Sequence, residues 1–394
     1  MRGRNVATAV VDVERYRHGA FNSAGASDAK QESKVKRRSI GAACLLACAC
    51  TAHAAGNSLQ IYGTIDDGLT YVSNSGGGRM FKMDAGIGQP DRFGLKGRED
   101  IGGGLAAVFQ LEQGFNTSNG ALINSGVEWN RQAWVGLASD RFGMVAIGHQ
   151  TDFMQDVSIR YSNGFWQHNL YAYHPGNLDN LANSSQIDNA VKWNSASFHG
   201  LTGGLMYGFA GGNALGRTVG GYVKYDNGPL SVAATYVSIN KRMFDFSSRL
   251  GISSIFGQSG LSATNVFKSD AVNNTGIGAS YRISSRWNVH ALYTRSEVRA
   301  PGGSGNMFNY DVGTEYRVTE ANALTLGYSY SSFNHTHYNQ IEAGDLYSFS
   351  KRTQLQAQVT YIAASGNNRA ASYPIGASSN HDQMLLRVGM YHSF

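Results

Sequence analysis

From Leu59 onward the apolar residues of this chain recur at every second position, and no run of about 18 apolar residues gathers anywhere along it. In Leu59-Gln60-Ile61-Tyr62-Gly63-Thr64-Ile65 the apolar side chains hold the odd positions. Leu105, Ala107, Phe109 and Leu111 take one face of a later segment, with Gln110 and Glu112 opposite; Leu324, Leu326, Tyr328 and Tyr330 repeat the pattern, as do Leu355, Ala357, Val359 and Tyr361. A period of two belongs to strands, and no stretch carries a convincing helical stripe. A soluble sandwich needs an apolar interior. Here one face of most strands is apolar or aromatic and the other carries Gln, Glu, Arg, Lys, Asn and Asp, which suits lipid outside and water inside. Lipid offers no partner to an open sheet edge, so such a sheet must close. The pattern excludes a helical membrane protein and predicts an all-β, transmembrane antiparallel β-barrel.

Turn signals set the count. Strands are expected near 59–72, 90–98, 103–115, 127–138, 142–150, 187–197, 200–210, 217–226, 229–240, 273–283, 286–297, 306–318, 322–333, 340–349, 353–363 and 382–394, which makes sixteen, an even number as single-chain bacterial barrels require. Short turns fall on one end, at Ser139-Asp140-Arg141 and Asp226-Asn227-Gly228-Pro229 for example, and long loops on the other, at 73–89, 152–186, 241–272 and 364–381. All five prolines lie in or beside these breaks, where a missing backbone donor does no harm. The final strand places Met384, Leu386, Val388, Met390, His392 and Phe394 on one parity, so the chain ends on an outward aromatic residue.

A separate leader precedes the barrel. Lys34, Lys36, Arg37 and Arg38 form a positive region, Ser39 to Cys50 a short apolar run, and Ala52-His53-Ala54 a small-residue cleavage site, the order of a secretory signal. We expect residues 1–54 to be leader, with translation starting near Val35, and 55–394 to be the mature domain. All three cysteines (Cys44, Cys48, Cys50) fall in the leader, so the mature chain is stabilised without disulfides. The leader also holds nine of the 33 basic and four of the 27 acidic residues, leaving 24 against 23 for the rest. The working domain therefore has no basic excess with which to bind nucleic acid.

Leu59-Gln60-Ile61-Tyr62-Gly63-Thr64-Ile65-Asp66-Asp67-Gly68, the run from Asp91-Arg92-Phe93-Gly94-Leu95-Lys96-Gly97-Arg98 to Leu105, Arg131-Gln132-Ala133-Trp134-Val135-Gly136-Leu137, Tyr225-Asp226-Asn227-Gly228-Pro229-Leu230 and Leu346 to Thr353 carry a family likeness. Over nearly all of 58–394 the sequence resembles the general porins of β-proteobacteria. The resemblance implies a sixteen-stranded outer-membrane channel for passive diffusion of small hydrophilic solutes and ions. It also implies a homotrimer in outer-membrane lipid, packed through the outer face of strands one to five, where Trp129 and Trp134 would suit close contact. Neither enzyme activity nor a cofactor or metal is expected.

A diffusion pore needs a constriction. The loop 152–186 occupies the place of the family's inward third loop and carries Asp152, Asp156 and Asp179. Opposite it a basic wall is expected, because rings of charge tune which ions pass. Arg92, Lys96 and Arg98 share one parity and Phe93, Leu95 and Gly97 the other; charge facing lipid costs roughly 2–4 kcal/mol near the midplane, so the basic set should face the lumen. Arg92 and Arg131 match positions where similar porins place constriction arginines, and Lys192 stands where many relatives have arginine. Two departures thin this wall: His149 replaces the usual arginine at the end of strand five, and Gln186 replaces a frequent basic residue. Arg131 shares parity with the outward Ala133, Val135 and Leu137, a conflict open between lumen and subunit interface. An outer-membrane adhesin or receptor barrel and a solute-specific porin are the alternative readings. Arg160-Tyr161-Ser162-Asn163-Gly164 resembles an outer-membrane phospholipase motif, but Arg160 cannot serve as a general base.

Overall fold

A computed structural model describes residues 57–182, 185–211 and 216–394. The expected leader lies outside these residues. Seventeen segments form one antiparallel sheet: β1 (Ser58–Ser75), β2 (Gly78–Ala85), β3 (Arg92–Gly102), β4 (Leu105–Gly114), β5 (Gln132–Ser139), β6 (Gly143–Gln150), β7 (Ile187–Asn194), β8 (Leu201–Gly208), β9 (Thr218–Asn227), β10 (Leu230–Asn240), β11 (Ala271–Arg282), β12 (Trp287–Ala300), β13 (Gly303–Arg317), β14 (Asn322–Phe333), β15 (Thr336–Ser348), β16 (Thr353–Gly366) and β17 (Asp382–Ser393). β2 and β3 lie along the upper and lower halves of β1, so together they make one interrupted strand and the wall has sixteen. β1 also pairs with β17, from Thr64 opposite Ser393 to Val72 opposite Leu385, and this seam closes the barrel.

The period of two sorts side chains as the alternation requires. Val312 is 56% exposed while its neighbour Asp311 is 4% exposed. Leu205, Leu326, Ile341 and Val388 likewise face outward, and Thr325, Gln340, Glu342 and Arg387 inward. On the upper outer surface Tyr293, Tyr310 and Tyr330 follow one another across adjacent strands, with ring centroids 5.2 and 6.2 Å apart, an interfacial aromatic row.

Several boundaries differ from the sequence expectation. The expected long loop 73–89 is a tight hairpin: Gly76 and Gly77 take φ of 62° and 112°, a conformation open to glycine, and β2 returns immediately. The interruption comes instead at 86–91, where backbone amides of Ile87 and Gly88 donate to the Asp66 carboxylate. The segment expected as a strand from 127 begins only at Gln132, and the 301–302 and 334–335 connections are tight turns. The loop 241–270 contains a short helix, Phe246–Leu250, whose Phe246 and Leu250 pack with Phe244, Ile255 and Phe267 against inward residues Val298, Met307, Phe333 and Ile362. It roofs the β12–β16 side of the mouth.

The seam is held by a buried ion pair. Gly68 and Gly389 lie opposite each other in β1 and β17, and a Cβ on either would stand within 3 Å of the Arg387 guanidinium. The two glycines thus make the space into which Arg387 folds. There its Nη2 donates to Asp66 (2.6 Å), with Asp84 3.6 Å from Nε.

Candidate pore constriction

The connection between β6 and β7 does not extend outward. Its short helices Phe153–Asp156 and Asn163–Trp166 begin at Asp152 and Ser162, whose side chains accept from the amides of Gln155 and Phe165. From there the chain meets inward-facing residues around most of the wall. Ser158 bonds Thr235 (2.5 Å), Asn163 donates to Ser329 (2.9 Å) and Asn169 to Thr360 (3.2 Å). Gln358 donates to the carbonyls of Gln167 and His168 (2.7 and 2.8 Å), and Gln340 to that of Tyr171 (3.1 Å). The far end reaches the interrupted strand, where Leu170 N donates to Ile87 O (2.8 Å) and the Tyr171 hydroxyl bonds Asp84. The returning arm carries His174, whose ring contacts Asp179 at 2.6 Å and Asp311 at 2.7 Å.

Most of these contacts lie on the β9–β16 side of the lumen, and the inner face of β1 and β3–β5 carries a separate polar cluster. There Glu112 is a hub. It accepts from the Tyr62 hydroxyl (2.8 Å) and from Arg131 Nε (2.6 Å), with Arg92 Nε at 3.8 Å. Gln110 donates to Tyr62 (2.7 Å), and the Lys96 ammonium stands 5.2 Å from the centre of the Tyr62 ring. Arg92 and Arg131 keep about a fifth of their side chains accessible and Glu112 under a tenth. The exposed charge of this patch is therefore cationic.

A model of the Gram-negative porin family matches residues 41–367. The chain belongs to this family. This porin is 33% identical over 235 residues to an outer membrane porin protein of Bordetella pertussis, covering 52% of this chain and 60% of that one. With outer membrane porin protein 32 of Delftia acidovorans it shares 26% over 368 residues, 86% and 94% of the two chains. Among solved structures, an anion-selective porin from Comamonas acidovorans superposes with a TM-score of 0.69 at 23% identity, over 86% of this chain and 100% of that one. The trimer form of OmpT from Vibrio cholerae gives 0.62 at 16% identity, over 86% and 99%. The porin is thus a multi-pass β-barrel of the outer membrane, and a passive channel in class, not an enzyme.

Within this porin the residues singled out from sequence take different places. Arg92 and Arg131 meet at Glu112, and Lys96 stands over the ring of Tyr62, which also bonds Glu112. Arg131 precedes β5, just after Trp129 with its left-handed φ of 55°, so the strand's alternation does not govern it; its guanidinium turns to Glu112. Arg98 lies lower on β3, in register with Ser58 and Val108, away from the loop. Lys192 is buried, pairs with Asp156 and donates to Thr151 O (2.9 Å). His149 sits at a register shift between Gly148 and Gln150, and its ring bonds Asp188 and the carbonyl of Asn130, not the Glu112 cluster. Trp134 pairs in register with Gln110 and shares its inward side, so it does not lie on the outer face.

The loop acids are occupied. Asp152 is fully buried as a helix cap and accepts from Asn180 (2.9 Å); burial pushes its pKa up to about 6, against those hydrogen bonds. Asp156 serves Lys192 and accepts from Thr151 (2.6 Å). Asp179 is fully buried between His174 and Thr294. Burial alone would strip the proton from His174, but Asp311 and Asp179 outweigh it and hold the imidazole well above its usual value. Burial opposes ionisation of Asp179 too, yet His174 keeps its pKa below the usual carboxylate value. The raised imidazole supports the contact at every pH below its folded value, and the lowered carboxylate at every pH above its own, so the contact stays ionised throughout the interval between them. Sequence reasoning missed Glu112, Tyr62 and His174 as organisers. Glu112 had the inward parity, but its partners come from β1, β3 and the segment before β5.

Proposed function

We propose that this porin is a general diffusion channel for small hydrophilic solutes and ions, with a constriction between the inward loop and the β1–β6 wall that favours anions. The carrying observation is the balance of exposed charge. Arg92 and Arg131 both face Glu112 and Lys96 stands over the Tyr62 ring beside it, while Asp152, Asp156 and Asp179 are buried or already paired. Lys192 and His149, with acidic partners of their own, add no free positive charge. The structural likeness to a porin described as anion-selective supports the direction.

A homotrimer suits the wall's uneven height. β5–β8 have eight residues each, while β11–β16 have 12 to 15. Eight residues at about 3.3 Å rise and about 45° tilt reach roughly 19 Å, short of an apolar band about 25 Å tall. A neighbouring subunit would cover that low wall, where Val135, Leu137, Val145 and Ile147 are exposed. Purified protein is expected to run as an SDS-resistant, heat-modifiable oligomer and to give stable ohmic steps in planar bilayers. A barrel that never conducts would turn the assignment toward a surface receptor, and migration only as monomer in mild detergent would remove the trimer.

A further inference from the structure

We propose that His174 is the positioning residue of the constriction: its ionised bridge between Asp179 of the loop and Asp311 of β13 fixes the loop's distance from the basic wall. The inference rests on the channel reading above.

The bridge is the main ionic tie between the returning arm and the far wall among the described residues. His174, Asp179 and Asp311 are all within a few per cent of complete burial, and the two contacts use both ring nitrogens, so the imidazolium spans from loop to strand. Around it the second oxygen of Asp311 accepts from Asn163 N (3.1 Å), and Asp179 accepts from Thr294 (2.7 Å), on β12. Other titratable groups facing it are His290 on β12, Glu342 on β15, Tyr173 on the loop and Arg242 from the extracellular loop. His290 bonds Asn163 Oδ1 (2.8 Å) and stacks on Trp166 with ring centroids 5.2 Å apart, so it extends the same junction into the loop's inner arm.

Removing the imidazolium leaves the Asp311 carboxylate without its cationic partner out of water, and Asp179 with only the Arg242 guanidinium as a nearby cation among the described residues. The barrel wall is closed by its own strand hydrogen bonds and does not depend on the loop. The uncompensated charge is therefore relieved at the weaker joint, by the loop lifting and admitting water. Neutralising all three groups keeps a hydrogen-bonding set without the uncompensated charge.

The test compares wild type, His174→Gln and the triple variant His174→Gln/Asp179→Asn/Asp311→Asn in planar bilayers, each first checked for a heat-modifiable barrel. The expected result is a several-fold rise in open-channel noise and closure at lower voltage for His174→Gln, with the triple variant returning to wild-type behaviour. A His174→Gln channel as quiet as wild type overturns the proposal. A triple variant as noisy as the single one also overturns it, because loss of shape and not of charge would then be the cause. Failure of His174→Gln to form a barrel counts against it as well, since the wall is held to be independent of the bridge. If wild type itself passes no current, it is the channel reading that fails.

Discussion

Replacing Arg387 with methionine is expected to remove the folded, heat-modifiable form of this porin almost entirely. The guanidinium is 1% exposed and bonds Asp66 at 2.6 Å across the β1–β17 seam. Methionine has similar bulk, so the loss is chiefly one of charge. A buried carboxylate stripped of its partner costs about 3–5 kcal/mol, a large fraction of a typical domain's total stability of about 5–15 kcal/mol. The position makes the cost worse: this seam is where the first and last strands must find each other, and an unclosed barrel has two bare edges in lipid. Adding Asp66→Asn to Arg387→Met should recover much of the heat-modifiable band, because the amide can still accept from Ile87 and Gly88, which now bond the carboxylate at 3.0 and 3.1 Å. Equal yields of wild type and Arg387→Met, measured by heat-modifiability after refolding into detergent, would show that the pair does not hold the seam.

The second large effect is on ion preference, and its sign should depend on which member of the Glu112 cluster is changed. Arg92→Gln/Arg131→Gln removes two cations from the proposed constriction and leaves Glu112 without the two guanidiniums that face it. Glu112→Gln does the reverse and removes the carboxylate that both guanidiniums face. A unit charge about 7 Å from a permeating ion is worth about 0.6 kcal/mol at the dielectric constant of water, or roughly a threefold change in relative permeability. Salt reduces this, with a screening length of about 10 Å at 0.1 M. The double arginine variant should therefore move the reversal potential in a KCl gradient toward cations, and Glu112→Gln should move it toward anions. If both move it the same way, the cluster acts through pore shape and not through charge.

How much of this was legible beforehand follows from the range of each interaction. Inward and outward parity is local, so the faces of Leu105 to Glu112 and of Arg92 to Arg98 could be read directly. Gly76 and Gly77 could not, because a glycine run serves equally in a long loop and a tight turn. Arg131 was misleading for a definite reason: the parity argument extends a strand by one residue past its end, and Trp129 breaks the alternation just before it. Register between strands is not local, which hid the meeting of Arg92, Glu112 and Arg131. The acids of the inward loop were found as acids, but their direction is set by residues far along the chain, such as Asp311, 137 positions from His174. An acidic loop facing a basic wall was the natural expectation. In the folded protein those carboxylates turn inward to Lys192, Asn180 and His174, so these three acids are engaged away from the wall's cations.

That difference makes the sign of the wild-type selectivity the most direct test. Purified wild-type channels should be recorded at neutral pH across a tenfold KCl gradient, first at low and then at high ionic strength. A constriction lined by Arg92, Lys96 and Arg131 with the loop acids tied up should give a reversal potential on the chloride side, shrinking toward zero as salt rises. A potential on the potassium side would mean that the loop carboxylates face the ions after all, and would contradict the account.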